Sequence, residues 1–291
     1  MKIVFFGTPD YVLPILTTLH KKFVTGPGKS PIVAVVTQSP KPVGRKQIIT
    51  YSPIDRWAHE HGVPIHYSAQ ELAIDKVEAD IGILASYGEI IKKEVIELFP
   101  HGILVIHPSL LPKYRGASPI PAAIANGDAV TGVTIFKMDE KLDHGPIVSQ
   151  FKEEILPDDD GQSLRIRLFE RSAEVLVELI KPYMQAKVTP KTQNDLEATF
   201  TKIVTRDDGF IDLPGTDPCQ AERFIRAMQP WPGAWTLLRL SATEGQAQKR
   251  LKILKAHVDE GKLVLDEVQL EGKDPVSWKL FKDGYNDAKF I

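Results

Sequence analysis

The chain of 291 residues has one cysteine, Cys219. A single thiol excludes internal disulfides and metal sites built from several thiolates, and it is ordinary in a reducing compartment, so we expect a cytoplasmic protein. An excess of either charge is also missing, since 36 Lys and Arg face 38 Asp and Glu for a net charge of −2. The chain therefore has no global basic field that would indicate binding to nucleic acid. Any RNA contact must come from a local patch.

Long hydrophobic runs are absent as well. No segment approaches the roughly 18 apolar residues of a membrane helix, so we expect no membrane partner. Short apolar runs instead alternate with amphipathic stretches through the first two thirds of the chain, which predicts an α/β fold with a doubly wound, mostly parallel sheet. Functional sites of such sheets lie at the carboxyl ends of the strands. The predicted strands are 3–7, 32–38, 81–86, 103–107 and 133–138, and the predicted helices are 13–20, 53–61 and 92–98.

Glycine is scarce at the first turn between a strand and a helix. A dinucleotide-binding turn needs G-x-G-x-x-G so that the backbone approaches a pyrophosphate. Here the turn reads Gly7-Thr8-Pro9-Asp10, which supplies one of those glycines. Thr8 fits a helix cap and Pro9 fits the first helical position. A dehydrogenase with a nucleotide cofactor is therefore disfavoured.

The last third of the chain has a different pattern. A helix over about 162–185 closes a predicted first domain at residues 1–186, and the polar stretch 187–205 is typical of a linker. Short β-rich runs separated by Gly-containing turns then predict a small, OB-like β-barrel domain over 206–291. The predicted strands of this domain are 235–240, 251–257, 263–268 and 276–281.

Two motifs carry side chains suited to catalysis. The first, HPSLLPKYRG at 107–116, follows a predicted strand directly, so His107 stands where α/β enzymes place catalytic groups, and the prolines fix the loop. The second, MDEKLDHGPI at 138–147, offers Asp143 in a turn, and an aspartate of this kind sets the tautomer and basicity of a histidine. Either motif alone is compatible with a structural turn, whereas their order and separation match one family.

Together the two motifs resemble the folate-dependent formyltransferases, and the resemblance covers nearly the whole chain. It implies a formyltransferase-type, Rossmann-like catalytic domain followed by the barrel. It also implies transfer of a formyl group from the co-substrate 10-formyltetrahydrofolate to an amine, with no metal required. Further similar segments are FGTP at 6–9, ASYG at 85–88, NGD at 126–128, TGVT at 131–134 and RAMQPWPGAWT at 226–236.

The resemblance also implies roles for individual residues. His107 would stabilise the oxyanion that develops during attack on the formyl carbon, or would shuttle a proton. Asp143 would pair with His107 and help to collect the proton of the amine. The folate site is implied at Ser109, Leu110, Leu111, Pro112, Tyr87 and Gly88.

Val105 departs from the family pattern. The family motif is N-x-H-x-S-L-L-P, and its asparagine donates an amide hydrogen bond to the formyl oxygen, whereas valine has no donor. The loss of one such donor costs roughly 10² to 10³ in rate. Several interpretations stay open: a slow enzyme, another donor such as a backbone N–H or His107, a non-catalytic relative that binds folate or tRNA, or a substituted variant. Lys141, where many relatives have glycine, is a smaller departure.

The segment SPKPVGRKQ at 39–47 bears on the identity of the amine. It resembles the basic, Gly-containing loop that family members acting on methionyl-tRNA insert against the acceptor stem, and Lys41, Arg45 and Lys46 are placed to neutralise phosphates. A solvated surface turn is the structural alternative. The resemblance favours initiator methionyl-tRNA as partner, with an amino-sugar nucleotide as the other candidate. Glycinamide ribonucleotide is disfavoured because its enzymes are shorter single domains. We expect a monomer.

Overall fold

The computed structural model describes residues 1–26, 29–44, 46–240 and 248–291. Its strands are β1 Ile3–Gly7, β2 Ile32–Val36, β3 Lys41–Val43, β4 Ile48–Thr50, β5 Ile65–His66, β6 Ile81–Ala85, β7 Ile103–His107, β8 Arg115–Gly116, β9 Val130–Lys137, β10 Ile147–Glu154, β11 Phe200–Thr201, β12 Ala234–Arg239, β13 Gln248–Asp259, β14 Lys262–Leu270, β15 Val276–Ser277 and β16 Lys289–Phe290. Its α-helices are α1 Leu13–Phe23, α2 Pro53–His61, α3 Glu71–Ile74, α4 Lys93–Ile96, α5 Pro119–Ala125, α6 Gly161–Met184, α7 Pro218–Ala227 and α8 Trp278–Gly284.

Local sequence accounts for the bounds of several elements. Helix α2 begins after Ser52, whose hydroxyl oxygen accepts a hydrogen bond from the Asp55 N–H at 3.0 Å, and Pro53 occupies the first helical position. The helix ends at Gly62, which adopts a left-handed φ of 62°. Strand β1 consists of five fully buried residues, as expected for a strand covered on both faces.

A seven-stranded sheet forms the centre of the first part of the chain, in the order β10-β9-β7-β6-β1-β2-β5. The pairs β5–β2, β2–β1, β1–β6 and β6–β7 are parallel, and β7–β9 is antiparallel. The predicted α/β fold with a mostly parallel sheet is therefore confirmed. The chain runs outward from β1 to β2 and β5 and then returns to β6 on the other side of β1. This reversal creates a crevice at the carboxyl ends of β1 and β6, where ligands of such sheets bind.

The chain divides into two compact units, each assembled from separate segments. The predicted domain boundaries at residues 186 and 206 stay a prediction. Within the first unit, Lys191 and Ile147 exchange two backbone hydrogen bonds of 2.7 and 2.8 Å, so part of the polar stretch interpreted as a linker is bonded to that unit. The first unit comprises Met1–Arg115, Gly132–Glu153 and Arg165–Phe200, and the second comprises Gly116–Thr131, Glu154–Leu164 and Thr201–Ile291.

The second unit contains a five-stranded antiparallel sheet in the order β15-β14-β13-β12-β16. An antiparallel sheet of this size is consistent with the predicted small barrel. The predicted strand over 276–281 is wrong beyond Ser277. The Ser277 hydroxyl oxygen accepts from the Leu280 N–H at 3.3 Å and so caps helix α8. Among the described helices, none is long and apolar enough to cross a membrane.

Candidate functional site

The ends of three parallel strands are tied together at the crevice. The Thr8 hydroxyl after β1 donates to the Tyr87 carbonyl oxygen after β6 at 3.3 Å, and it accepts from the Gln38 N–H after β2 at 3.3 Å. The Gln38 amide also donates to the Tyr87 carbonyl at 3.4 Å. Gly88 has a φ of 88°, and a Cβ there would lie 2.8 Å from the Gln38 amide nitrogen. A side chain at position 88 would therefore overlap with Gln38 and would be strained by the positive φ.

Tyr87, a predicted folate residue, has a fully buried side chain. Its ring packs edge-on against Phe6, with the two ring centroids 5.9 Å apart, and its hydroxyl donates to the Glu89 carboxylate at 3.2 Å. Burial and the Glu89 carboxylate raise the pKa of this phenol, so it stays neutral. The tyrosine ring thus belongs to the core, and its contribution to the crevice is to fix the backbone of residues 87 and 88.

The loop that follows β7 is pinned by a buried threonine and a glutamine. The Thr134 hydroxyl donates to the Ser109 carbonyl oxygen at 2.7 Å and accepts from the Leu111 N–H at 3.0 Å. The Gln150 amide donates both to the Thr134 hydroxyl at 2.8 Å and to the Leu111 carbonyl at 3.0 Å. Ser109 itself donates to the Lys113 carbonyl at 2.6 Å. Side-chain hydrogen bonds therefore hold the backbone of the predicted folate loop to the sheet, and neither Thr134 nor Gln150 was predicted as part of the site.

The side chains of that loop differ in exposure. Ser109 and Leu111 are buried and hold the loop to the sheet. Leu110 and Pro112 are half-buried. Leu111 and Pro112 are joined by a cis peptide bond. Of the four predicted folate residues on the loop, Leu110 and Pro112 are thus the two with side-chain surface to offer a ligand.

His107 and Asp143 are brought together as predicted. The His107 Nδ1 lies 3.5 Å from an Asp143 carboxylate oxygen, and its Nε2 lies 2.9 Å from the Tyr114 carbonyl oxygen. Because a carbonyl only accepts, Nε2 carries a proton, and a second proton on Nδ1 would satisfy the carboxylate. Burial lowers the pKa of His107, while Asp143 and the Tyr114 carbonyl raise it. The His107 side chain is 7% exposed and that of Asp143 is 16%, so the carboxylate is the more accessible member of the pair.

Val105 lies two residues before His107 on β7 and therefore faces the same side of the sheet. It is buried and packs with Leu111 and Phe136 in an apolar cluster. The position at which the resemblance implies an amide donor therefore has an apolar side chain with apolar neighbours. The partly buried residues around this cluster are Leu84, Met138 and Ile147.

The turn that carries Asp143 is tightly constrained. Asp143 has a left-handed φ of 45°, which is uncommon for a residue with a side chain. A Cβ on Gly145 would lie 1.8 Å from the Lys137 carbonyl oxygen. His144 bridges two carboxylates, with Nδ1 2.6 Å from Asp139 and Nε2 3.3 Å from Asp195. The direction of the Asp143 side chain is therefore set by its surroundings.

Replacement of Gly145 by alanine is expected to destabilise the fold by about 1–3 kcal/mol, because the backbone must shift to relieve the overlap with Lys137. Urea unfolding measures this loss. Gly284→Ala is the matched control, since a Cβ at Gly284 meets no atom within 4 Å. Equal urea midpoints for the two variants would contradict the described packing of the turn.

Gln193 and Asp195 belong to the site although the sequence placed them in a linker. Gln193 is buried and accepts two hydrogen bonds from the Arg115 guanidinium, at 3.1 and 2.8 Å. Arg115 also forms a 2.7 Å ion pair with Asp195, and this interaction lowers the pKa of that carboxyl. Nothing in the spacing of residues 187–198 distinguishes Gln193 from its polar neighbours.

A cavity of about 300 Å³ adjoins the turn of Asp143. Lys141, which the family resemblance marked as a departure, lies on its wall and so contributes to the surface beside the turn of Asp143. Among the described residues, no group of three or more His, Cys, Asp or Glu side chains is arranged to hold a metal ion. The cavity is lined by Arg115, Lys141, Leu142, His144, Asp195, Ala198 and Phe200.

The predicted tRNA-binding residues lie on a separate feature, the antiparallel hairpin of β3 and β4. Lys41 is exposed and pairs with Thr50, and Lys46 is exposed in the connecting turn. Arg45, the third residue of this prediction, lies outside the described residues. The hairpin also exposes apolar side chains, Val43, Ile48 and Ile49.

Family models match both parts of the chain. Residues 1–180 match the model described as formyl transferase, and residues 203–262 match formyl transferase, C-terminal domain. A methionyl-tRNA formyltransferase of Roseiflexus sp. is 41% identical over 246 residues, which cover 82% of this chain and 74% of the relative. Those of Roseiflexus castenholzii and Thermus thermophilus are 36% and 33% identical, over 95% and 99% of this chain and 93% and 97% of the relatives.

Solved structures share the fold. The N-formyltransferase of Helicobacter canadensis, in complex with folinic acid and dTDP-3-aminofucose, has a TM-score of 0.67 at 17% identity over 89% of this chain and 88% of that one. The methionyl-tRNA formyltransferase of Clostridium thermocellum has a TM-score of 0.61 at 18% identity over 93% and 98% of the two chains. At such identities the likeness shows the fold alone.

Proposed function

Because the chain belongs to the formyl transferase family, we propose that it transfers the formyl group of 10-formyltetrahydrofolate to the amino group of initiator methionyl-tRNA, for translation initiation. The observation that carries the proposal is the His107–Asp143 pair, 3.5 Å apart, at the carboxyl end of β7 beside the pinned loop. The curated relatives at 33–41% identity named above are all methionyl-tRNA formyltransferases, which supports this acceptor. We also infer a monomer that acts in the cytoplasm, where charged tRNA is used.

The residues around the crevice fit the folate co-substrate. Residues 87–88 and 109–112 follow β6 and β7, which are neighbouring parallel strands, so both segments lie at the same edge of the sheet. Gly88 leaves the rim free of a side chain, and Leu110 and Pro112 offer apolar surface to a flat ring. When bound, 10-formyltetrahydrofolate would supply the activated formyl group. The bond between its nitrogen and the formyl carbon would break as the amine bonds to that carbon, and the proton lost by the amine would balance the one gained by the folate nitrogen.

The two catalytic residues divide the handling of protons. Asp143 is the more exposed of the two, so its carboxylate accepts the proton that the attacking amine must lose. His107 lies beneath it, and its hydrogen bond to the Tyr114 carbonyl fixes the ring with a proton on Nε2. The Nδ1 atom faces Asp143. It binds the second proton while the carboxylate is charged and releases it once the carboxylate has been neutralised.

Val105 lowers the rate of formyl transfer at this site. Its side chain supplies no hydrogen bond, and its buried neighbours Leu111 and Phe136 have apolar side chains. The formyl oxygen therefore lacks the side-chain donor that the family motif provides, and we infer a reduced turnover.

Neutralising Lys41 and Lys46 together is expected to weaken tRNA binding and to reduce the slope of log affinity against log salt by about 2, because we assign one phosphate to each lysine. Fluorescence titration of the tRNA at several salt concentrations measures the slope. Lys21→Ala, a change at an exposed lysine of α1, is the control. An unchanged slope in the double variant would contradict the assignment of the hairpin to tRNA.

Comparison of acceptors tests the proposed function. The enzyme is given 10-formyltetrahydrofolate and either charged initiator tRNA or an amino-sugar nucleotide, and the formylated product is quantified. We expect kcat/KM to be higher for formylation of the charged tRNA than for formylation of the sugar nucleotide. Faster turnover of the sugar, together with full activity of the Lys41 and Lys46 variants, would overturn the proposal.

A further inference from the structure

Gln193 connects the two loops that hold His107 and Asp143. Its amide oxygen accepts from the Arg115 Nε at 3.1 Å and Nη2 at 2.8 Å, and its amide nitrogen donates to the Asp143 and Gly145 carbonyl oxygens, both at 2.9 Å. A guanidinium only donates and carbonyls only accept, so the amide can have one orientation here. All four of its hydrogen-bonding positions are used, in a side chain that is buried.

One end of this amide holds the turn of Asp143. The residue has the uncommon left-handed φ of 45°, and its carbonyl is one of the two that Gln193 binds. The second carbonyl belongs to Gly145, whose own position against Lys137 leaves no space for a Cβ. Gln193 therefore fixes the backbone on both sides of His144, and with it the direction in which the Asp143 carboxylate leaves the chain.

The oxygen of the Gln193 amide holds Arg115, in the loop whose Tyr114 carbonyl is hydrogen-bonded to His107. Arg115 follows Tyr114, the residue whose carbonyl binds the His107 Nε2. The segment that carries Gln193 also contains Thr199, whose hydroxyl accepts from the Tyr114 N–H at 2.8 Å and whose carbonyl accepts from the Arg115 N–H at 2.8 Å. We name this segment, residues 191–200, the strap.

We propose that Gln193 is a positioning residue for the reaction: it holds the Asp143 carboxylate and the Tyr114 carbonyl on opposite sides of the His107 ring. The proposal rests on the proposed function as far as turnover is concerned. The geometry of the pair is independent of any substrate, and it is therefore tested by a second readout.

Two substitutions separate the roles of the amide. Gln193→Met keeps the length of the side chain and removes all four hydrogen bonds. Gln193→Glu keeps an acceptor for Arg115 but points a carboxylate oxygen at two carbonyl oxygens, so it perturbs the Asp143 turn selectively. This second variant tests the proposal even if complete removal of the amide disturbs folding. Leu196→Ala, on the same strap, is the matched control because its side chain is 97% exposed.

The first readout is steady-state formyl transfer to charged initiator tRNA. Both Gln193 variants are expected to lower kcat by about 10²-fold, the scale of a displacement of about 1 Å at a catalytic group, with the KM for tRNA unchanged. A kcat within twofold of the Leu196→Ala control for both variants, or a loss confined to KM, would overturn the proposal.

The second readout is the NMR titration of His107, assigned by His107→Asn. Asp143 raises the pKa of this imidazole, so its displacement in Gln193→Met is expected to lower the pKa further below that of the wild type. An unchanged titration, with the variant folded, would overturn the proposal. A wild-type chain that fails to formylate methionyl-tRNA would contradict the proposed function instead, and the titration would still decide the role of Gln193.

Discussion

Replacement of Asp143 by asparagine is expected to lower kcat for formyl transfer by about 10²- to 10⁴-fold, the range for loss of a general base. The amide has nearly the same shape as the carboxylate but cannot accept the amine proton. It also removes the negative charge that opposes the effect of burial on the His107 pKa. Steady-state kinetics with saturating charged tRNA and folate measure the change.

The control for this variant lies in the same turn. Glu140 is exposed and pairs with Lys93, so Glu140→Gln removes a carboxylate close in sequence without touching His107. We expect its kcat to stay within twofold of the wild type. An Asp143→Asn variant as active as Glu140→Gln would mean that the proton of the amine leaves by another route, through water or through the substrate itself.

Replacement of Val105 by asparagine is expected to raise kcat by about 10²-fold, the lower end of the effect of one oxyanion donor. The residue shares a face of β7 with His107, so an amide at this position lies on the side of the sheet where the pair is. The same substitution is expected to cost about 1–3 kcal/mol of stability, because it sets a polar group among Leu111 and Phe136. Kinetics and urea unfolding of the variant measure the two effects.

Two further substitutions show whether the donor causes the gain. Val105→Thr keeps the branched shape and adds a shorter hydroxyl donor, so a smaller gain is expected. Val105→Ala adds no donor and leaves a cavity, so it is expected to lower stability without raising kcat. If the wild type is already fast and Val105→Asn has the same kcat, another group holds the formyl oxygen.

Local patterns predicted much of the first unit. The bounds of β1, β7 and α2 agree with the structure residue for residue, because uninterrupted apolar runs mark the strands and Ser52-Pro53 marks the start of the helix. Helix α4 is shorter than predicted, at four residues. Strand β10 was not predicted at all, because its apolar residues Ile147, Val148 and Phe151 form neither a continuous run nor a strict alternation.

The site could be predicted only in part. His107 and Asp143 follow strands, and the family resemblance indicated that they meet, but their roles stay a prediction. Gln193 could not be found from spacing, since its partners Asp143 and Arg115 are 50 and 78 residues away in the chain. The polar residues that suggested a linker include Gln193 itself, whose buried amide forms hydrogen bonds to Arg115 and to the turn of Asp143.

Single-turnover formylation shows whether Asp143 and position 105 set the rate of formyl transfer. Wild type, Asp143→Asn and Val105→Asn are each mixed in excess with charged initiator methionyl-tRNA and 10-formyltetrahydrofolate, and formyl-methionine is followed with time. We expect a slow but complete reaction in the wild type, a faster one in Val105→Asn, and a rate lower by a factor of about 10² or more in Asp143→Asn. No formyl-methionine from the wild type or from the Val105→Asn variant, with folate binding intact, would contradict this expectation.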